Sequence, residues 1–223
     1  MKIIENMEQG SPEWLKFRES HITATDVSSI LGTNPFVTSQ TLFERKLGIK
    51  SPEPLNDRMR RGQELEDVAR KLLIERTGID FKPVVVIHDV EPWAMASLDG
   101  RGYKCDLLNP GGGTIMRHDY ICEIKCPNND THQLALQGGI KSYYESQIQW
   151  QLWITGAEKC LFMSYFPDQD NMEQIAIVEV FPDSDYIESM VEKCRQFYED
   201  HLSPWIIFGK KIPPETNTIK LRK

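Results

Sequence analysis

The chain has 223 residues, 40% of them hydrophobic and 26% charged, enough for one domain with a sizeable core and too few for two. No apolar run approaches the roughly 18 residues of a membrane helix. The 33 acids against 26 bases leave a net charge of −7, which argues against nonspecific coating of nucleic acid but not against an enzyme whose site gathers carboxylates. Met1 to Gln9 carries acids and no apolar core, unlike a signal peptide. Five cysteines, an odd number, point to reduced thiols and a cytoplasmic location.

The first third reads as helical. Ser11-Pro12 opens a helix carrying Trp14, Leu15, Phe17 and Arg18. Thr23 to Leu31 is a second helix ended by Gly32, and Ser39 to Leu47 a third ended by Gly48. Pro52 to Met59 reads as a loop. Arg61 to Thr77 is the best helix, with Leu65, Val68, Ala69, Leu72 and Leu73 at helical spacing and Gly78 beyond its end. Strand patterns follow at Phe81 to Val90, Ala94 to Leu98, Gly102 to Leu107 and Asp119 to Lys125, the last two joined by a turn over Pro110 to Gly113. Gly138 to Thr155 is helical, Lys159 to Phe166 and Gln174 to Phe181 are strands, and Asp185 to His201 is a final amphipathic helix. The pattern predicts an α/β (α+β) fold, a mixed central sheet flanked by helices. The expected division is a helical part over 1–60, a core over 61–202 and a basic tail over 203–223 of one domain.

The chemistry concentrates in Ser97-Leu98-Asp99-Gly100 followed by Glu123-Ile124-Lys125-Cys126-Pro127. In a strand Glu123 and Lys125 share one face, with Cys122, Ile124 and Cys126 on the other. Magnesium takes oxygen ligands and keeps several waters, so a few carboxylates suffice, and two such ions can serve one phosphodiester hydrolysis. Asp99 and Glu123 are the predicted carboxylate ligands, and the Ile124 carbonyl can add a third oxygen. Lys125 can hold the water or offset charge on the phosphorane. Burial would push its pKa down and neighbouring carboxylates would push it up, so positioning and charge stabilisation are the expected roles. Glu66 is either a third acid facing the sheet or the partner of Arg70 in an i,i+4 ion pair. Gln147, in a stripe with Tyr143, Trp150 and Ile154, is either a core amide bonded to backbone or a contact to a phosphate or metal-bound water.

A second constellation is Trp14, Arg18, Thr23 and Thr25. A guanidinium, two hydroxyls and a helix start together make a phosphate pocket, and Trp14 can stack on a base. The plain alternative is a core Trp, a surface Arg and an N-capping Thr. Gly209 to Lys223 holds Lys210, Lys211, Lys220, Arg222 and Lys223 against Glu215 alone. That tail is either solvated or in reach of a phosphate backbone. The sequence holds no HxxH zinc spacing, CxxC pair, Walker loop or GxGxxG.

Six blocks in order resemble the bacteriophage lambda exonuclease family of viral recombination nucleases, within the PD-(D/E)XK superfamily. They are Trp14 to Arg18, Ile22 to Thr25, Arg61-Gly62 leading to Glu66 and Ala69-Arg70, Ser97 to Gly100, Glu123 to Pro127, and Tyr144 to Thr155 with Gln147-Ile-Gln149. The resemblance weakens after Tyr165 and does not cover the chain past Trp205. The first acid follows Leu98 instead of the superfamily's proline. The resemblance implies a restriction-endonuclease-like core that digests one strand of double-stranded DNA processively from a 5′ end. It implies a homotrimeric ring, a 3′ overhang passed to a single-strand annealing partner, and a phage or prophage protein in the cytoplasm of a bacterial host. By that likeness Asp99, Glu123 and the Ile124 carbonyl bind Mg2+ (with Mn2+ as a substitute), Lys125 assists the water and Glu66 completes the site. Arg18 receives the terminal 5′-phosphate with Thr25 and Thr23, and Gln147 lies near the scissile phosphate. Two other readings keep the same residues: a PD-(D/E)XK endonuclease of restriction or junction-resolving type, and a catalytically inactive DNA-binding protein.

Overall fold

The computed structural model describes residues 1–51, 54, 56–107, 115–168 and 174–207. The expected turn over Pro110 to Gly113 and the basic tail from Gly209 lie outside them. In chain order the elements are β1 (Lys2–Ile3), α1 (Pro12–Glu19), β2 (Ile22–Thr23), α2 (Ala24–Ile30), α3 (Ser39–Lys46), α4 (Asp57–Thr77), β3 (Lys82–Ile87), β4 (Ala94–Leu107) and β5 (Ile115–Lys125). Then come α5 (Asn129–Leu136), α6 (Ser142–Thr155), β6 (Lys159–Tyr165), β7 (Ile175–Val180), α7 (Ser184–Phe197), a π-helical turn (Tyr198–Leu202) and α8 (Ser203–Ile207). No described helix is long and apolar enough to cross a membrane.

The sheet runs β1-β3-β4-β5-β6-β7. Its pairs are antiparallel except β5 with β6, and β2 with β4. The parallel β5–β6 pair requires a crossover, supplied by α5 and α6. Pleat alternation sorts the core onto two faces. Ile121 and Phe162 pack in one cluster with Val27, Phe43, Ile148 and Phe197, whereas Cys122, Ile124, Leu161 and Met163 pack with Ala69 and Leu73 of α4. Thus α2, α3, α6 and α7 cover one face and α4 the other.

Several elements differ from the sequence expectation. Helix α4 begins at Asp57 because the Asn56 side chain caps it, accepting from the Met59 amide, so the end of the expected loop is helical. Helix α5, capped by Asn128, went unforeseen. The expected helix from Gly138 starts only at Ser142, since Gly138 at φ 80° sits in the left-handed region that closes α5. The last helix continues past Phe197 through the π-helical turn into α8.

The two strands expected over Ala94 to Leu98 and Gly102 to Leu107 are one strand carrying a bulge. Lys82 pairs Arg101 while Val84 pairs Leu98, so β4 spends one extra residue at Asp99-Gly100. A bulge reverses the face of the residues beyond it and commonly re-aims a side chain. Gly100 is required there: a Cβ would stand 2.6 Å from Cys122 Sγ and 2.7 Å from Phe81 Cβ.

Gly100→Ala is therefore expected to cost about 1–3 kcal/mol of stability through overpacking, read as a lower urea midpoint with an unchanged m-value. A midpoint equal to wild type would show that Phe81 and Cys122 yield freely.

Candidate active site

The β4–β5 ladder stops at Gly100↔Cys122. On the same edge, β2 pairs Ala94 and Met95. Between these stretches, residues 96–99 have no strand partner on that edge. Side chains serve the backbone in and around the gap. Trp150 Nε1 donates to the Met95 carbonyl at 3.0 Å, Gln9 Nε2 to Leu98 at 3.1 Å and Arg70 Nε to Asp99 at 2.7 Å. Asp99 Oδ2 in turn accepts the Ile124 amide at 2.7 Å. The carboxylate thus ties β4 to β5 where the ladder has ended.

Glu123 is wholly buried, yet both its oxygens have donors. Lys125 Nζ and Gln147 Nε2 (2.6 Å) approach Oε1, and Gln151 Nε2 donates to Oε2 at 2.7 Å. Gln147 and Gln151 sit one turn apart on α6, so one helix face clamps one carboxylate. Gln151 Oε1 is buried with no hydrogen-bond partner among the described residues. Burial would lower the Lys125 ammonium's pKa, but Glu123 and Asp99 overcome it and hold the group well above its ordinary value. Lys125 is therefore a cation, suited to positioning and charge stabilisation. Burial first, then the charge of Glu123, pushes the Asp99 carboxyl well above the ordinary range.

Of the two readings of Glu66, the structure shows the ion pair. It pairs with Arg70, and that same arginine holds the Asp99 carbonyl. Burial raises the Glu66 pKa against Arg70 and Lys125, with Glu123 adding to the rise. No group of three or more His, Cys, Asp or Glu side chains that could hold a metal occurs among the described residues. The oxygen set of Asp99, Glu123 and the Ile124 carbonyl nevertheless suits magnesium, which is commonly held by one or two carboxylates plus substrate phosphates.

The second constellation abuts the first. Arg18 lies with Cζ 4.3 Å from the Trp14 ring centroid, and its Nη2 donates to Thr25 Oγ1 at 3.0 Å. Thr25 Oγ1 lies 3.0 Å from Thr23 Oγ1. Thr23 also caps α2, and its amide donates to Asp26 at 2.8 Å. The Trp14 indole donates to Ser97 Oγ at 2.7 Å, two residues before Asp99. Beneath them, Lys46 Nζ contacts Asp26 Oδ2 at 2.8 Å and donates to the Arg18 and His21 carbonyls at 2.8 and 2.6 Å.

Sequence reasoning assigned no role to Ser97, Gln151, Asp26 or Lys46. Gln151 was findable, being four residues after Gln147 in the same stripe. Ser97 was findable too, standing two residues from Asp99. The Asp26–Lys46 pair spans two helices and left no local signal. Gln149 takes the structural role: its amide bonds the Phe181 carbonyl at 2.9 Å and the Asp183 amide at 3.0 Å. All five cysteines are free thiols.

Breaking the buried Asp26–Lys46 pair by Lys46→Met is expected to cost about 3–5 kcal/mol. The double variant Asp26→Leu/Lys46→Met should recover most of it, since no buried charge is left alone. Denaturant titration of the three proteins checks this; a double variant no better than the single would refute it. Burial raises the Asp26 carboxyl, but Lys46, Arg18 and its hydrogen bonds outweigh that and hold it below its ordinary value. A depressed folded pKa means this contribution is present above the unfolded carboxylate pKa and lost as pH falls through the folded one.

The family described as YqaJ-like viral recombinase domain matches residues 13–158. An uncharacterised protein, R354, of Acanthamoeba polyphaga mimivirus is 28% identical over 167 residues, 73% of this chain and 30% of that protein, so the chain spans under a third of that relative's length. The alkaline exonuclease LHK-Exo of Laribacter hongkongensis superposes with TM-score 0.71 at 26% identity, covering 89% of this chain and 95% of that one. Its complex with dAMP gives TM-score 0.73 at 25% identity over the same shares. A phage-related exonuclease of Haemophilus somnus 129PT shares the fold at TM-score 0.57 and 15% identity, covering 82% of this chain and 96% of that one. The matched segment takes in both constellations, and the chain belongs to the YqaJ-like viral recombinase family, the lambda exonuclease family.

Proposed function

We propose that this chain is a magnesium-dependent 5′→3′ exonuclease that hydrolyses one strand of double-stranded DNA and leaves a 3′ overhang. The observation that carries the reading is the contact of two sites: the Trp14–Ser97 hydrogen bond joins the Arg18 pocket to the strand bearing Asp99. An end-recognition pocket beside a hydrolytic centre is what an exonuclease needs and an endonuclease does not. The likeness to LHK-Exo, solved with dAMP, supports the same substrate chemistry.

In this reading Arg18, Thr25 and Thr23 hold the terminal 5′-phosphate through charge-assisted hydrogen bonds. Trp14 holds the guanidinium over its ring. Asp99 and Glu123, with the Ile124 carbonyl, hold Mg2+, which supplies Lewis-acid stabilisation of phosphate charge. Lys125 orients the attacking water and offsets charge on the phosphorane. Gln147 and Gln151 fix the Glu123 carboxylate, and Gln147 lies beside the scissile phosphate. Arg70 keeps Glu66 and the Asp99 carbonyl in register. Processive action in a homotrimeric ring and delivery of the overhang to a single-strand annealing protein belong to the same proposal and rest on the family likeness.

The test is degradation of linear duplexes labelled at either end, with magnesium added or chelated, alongside a covalently closed circle. Loss of the 5′ label first, only with magnesium and never from the circle, is the expected result. Cleavage of the circle would replace the exonuclease with an endonuclease.

Lys125→Ala should reduce single-turnover hydrolysis by at least about a hundredfold, the scale of losing one preorganised charge-stabilising group. DNA binding should change less than about threefold, since only transition-state stabilisation is removed. Turnover near wild type would contradict the assignment. Arg18→Ala should erase the preference for 5′-phosphate over 5′-hydroxyl ends, measured as the ratio of initial rates. A preserved ratio would remove Arg18 from the pocket.

A further inference from the structure

A row of aromatic rings leads outward from Lys125. Its ammonium lies 5.4 Å from the Tyr144 ring centroid. Tyr144 meets Tyr143 edge-on at 4.4 Å, and Tyr143 meets Phe36 edge-on at 6.2 Å. Phe36 ends the row and is 72% exposed.

Phe36 is held out rigidly. Asn34 Oδ1 accepts the Phe36 and Val37 amides at 2.8 and 3.1 Å, while Asn34 Nδ2 donates to Ser28 Oγ at 3.1 Å. The Ser28 carbonyl accepts the Thr33 and Asn34 amides. Thr33 Oγ1 lies 3.4 Å from Ser146 Oγ on α6. Val37, not Phe36, is the residue of this turn that packs on the core. The turn is thus fixed without the phenyl ring, which stands T-shaped to Tyr143. Most of the phenyl ring therefore remains open to a further contact.

The same short helix links this turn to the Arg18 pocket. Thr25 lies in the first turn of α2 and the Phe36 turn follows its end, with about 10 Å of helix between them. One end of the row is therefore the hydrolytic centre, and its flank is the phosphate pocket.

We propose that Phe36, backed by Tyr143, is a stacking site for a nucleobase of the DNA whose end occupies the Arg18 pocket. This rests on the exonuclease reading for its substrate. A base offers a π-face of any sequence, so the contact grips DNA without selecting sequence. The rings give apolar contact where the acidic chain as a whole (net charge −7) gives little attraction to phosphate.

The test measures binding of the full chain to 5′-phosphorylated duplexes by fluorescence anisotropy with magnesium chelated. One duplex is intact; in the others a single nucleotide near the 5′ end, on either strand, is abasic. Phe36→Ala should weaken binding to intact DNA about tenfold, the effect of one lost base–aromatic stack. One abasic position should weaken wild type equally and the variant no further, and Phe36→Trp should restore tight binding. Undiminished binding by Phe36→Ala, equal loss on intact and abasic duplexes at every position, or no binding by wild type would each overturn the proposal. A change of oligomeric state in Phe36→Ala would overturn it in favour of a contact between copies. Because no hydrolysis is required, base-dependent binding by a chain that degrades no DNA end would sink the exonuclease and leave the stacking site standing.

Discussion

One hydrogen bond organises the site: the Ile124 amide donating to the Asp99 carboxylate. A continuous ladder between β4 and β5 would place backbone against backbone there and leave no room for side-chain chemistry. The bulge at Asp99-Gly100 ends that ladder, and an orphaned amide in the sheet interior would cost free energy unless satisfied. Asp99 satisfies it, so the residue that opens the sheet also closes its hydrogen-bonding account. The opening is stable because Trp150, Gln9 and Arg70 reach the carbonyls around it. These three come from α6, the N-terminal segment and α4, so the gap binds the layers of the fold together.

The pocket beside it is held from below by charge. Lys46 is almost fully buried, which is tolerable because its ammonium pairs with Asp26 and donates hydrogen bonds to two carbonyls. Those carbonyls belong to Arg18, in the last turn of α1, and His21, two residues past its end, and Asp26 is in the first turn of α2. A single ammonium therefore fixes the angle between the helix carrying Arg18 and the one carrying Thr25. Fixing that angle sets the distance between the Arg18 guanidinium and the Thr25 hydroxyl it donates to.

Much of the architecture was legible in local pattern. The apolar spacing of Leu65, Ala69, Leu72 and Leu73 located α4, and alternation around Glu123 correctly set that residue and Lys125 on one face with Cys122 and Ile124 on the other. Period alone could not show that Asp99-Gly100 is a bulge inside one strand, because a bulge and a turn both read as Asp-Gly between β-branched runs. Helix α5 was missed because its start depends on Asn128 capping a stretch with little apolar periodicity. For the site, residue chemistry was readable and adjacency was not. Nothing in the spacing of Trp14 and Ser97, 83 residues apart, announces that an indole N–H bridges the two constellations. Glu66 was posed as either an ion-pair partner or a site acid; the ion pair is present, and its arginine also holds the Asp99 carbonyl.

The burial of Glu123 has an electrostatic corollary. Its oxygens have three donors, one of them the Lys125 ammonium, while a carboxylate offers about four lone-pair sites. In the proposed reading a metal cation held here would share Glu123 with that ammonium, and the two positive charges would repel. With the cation chelated, Lys125 would still neutralise Glu123, so this buried charge would not be left uncompensated.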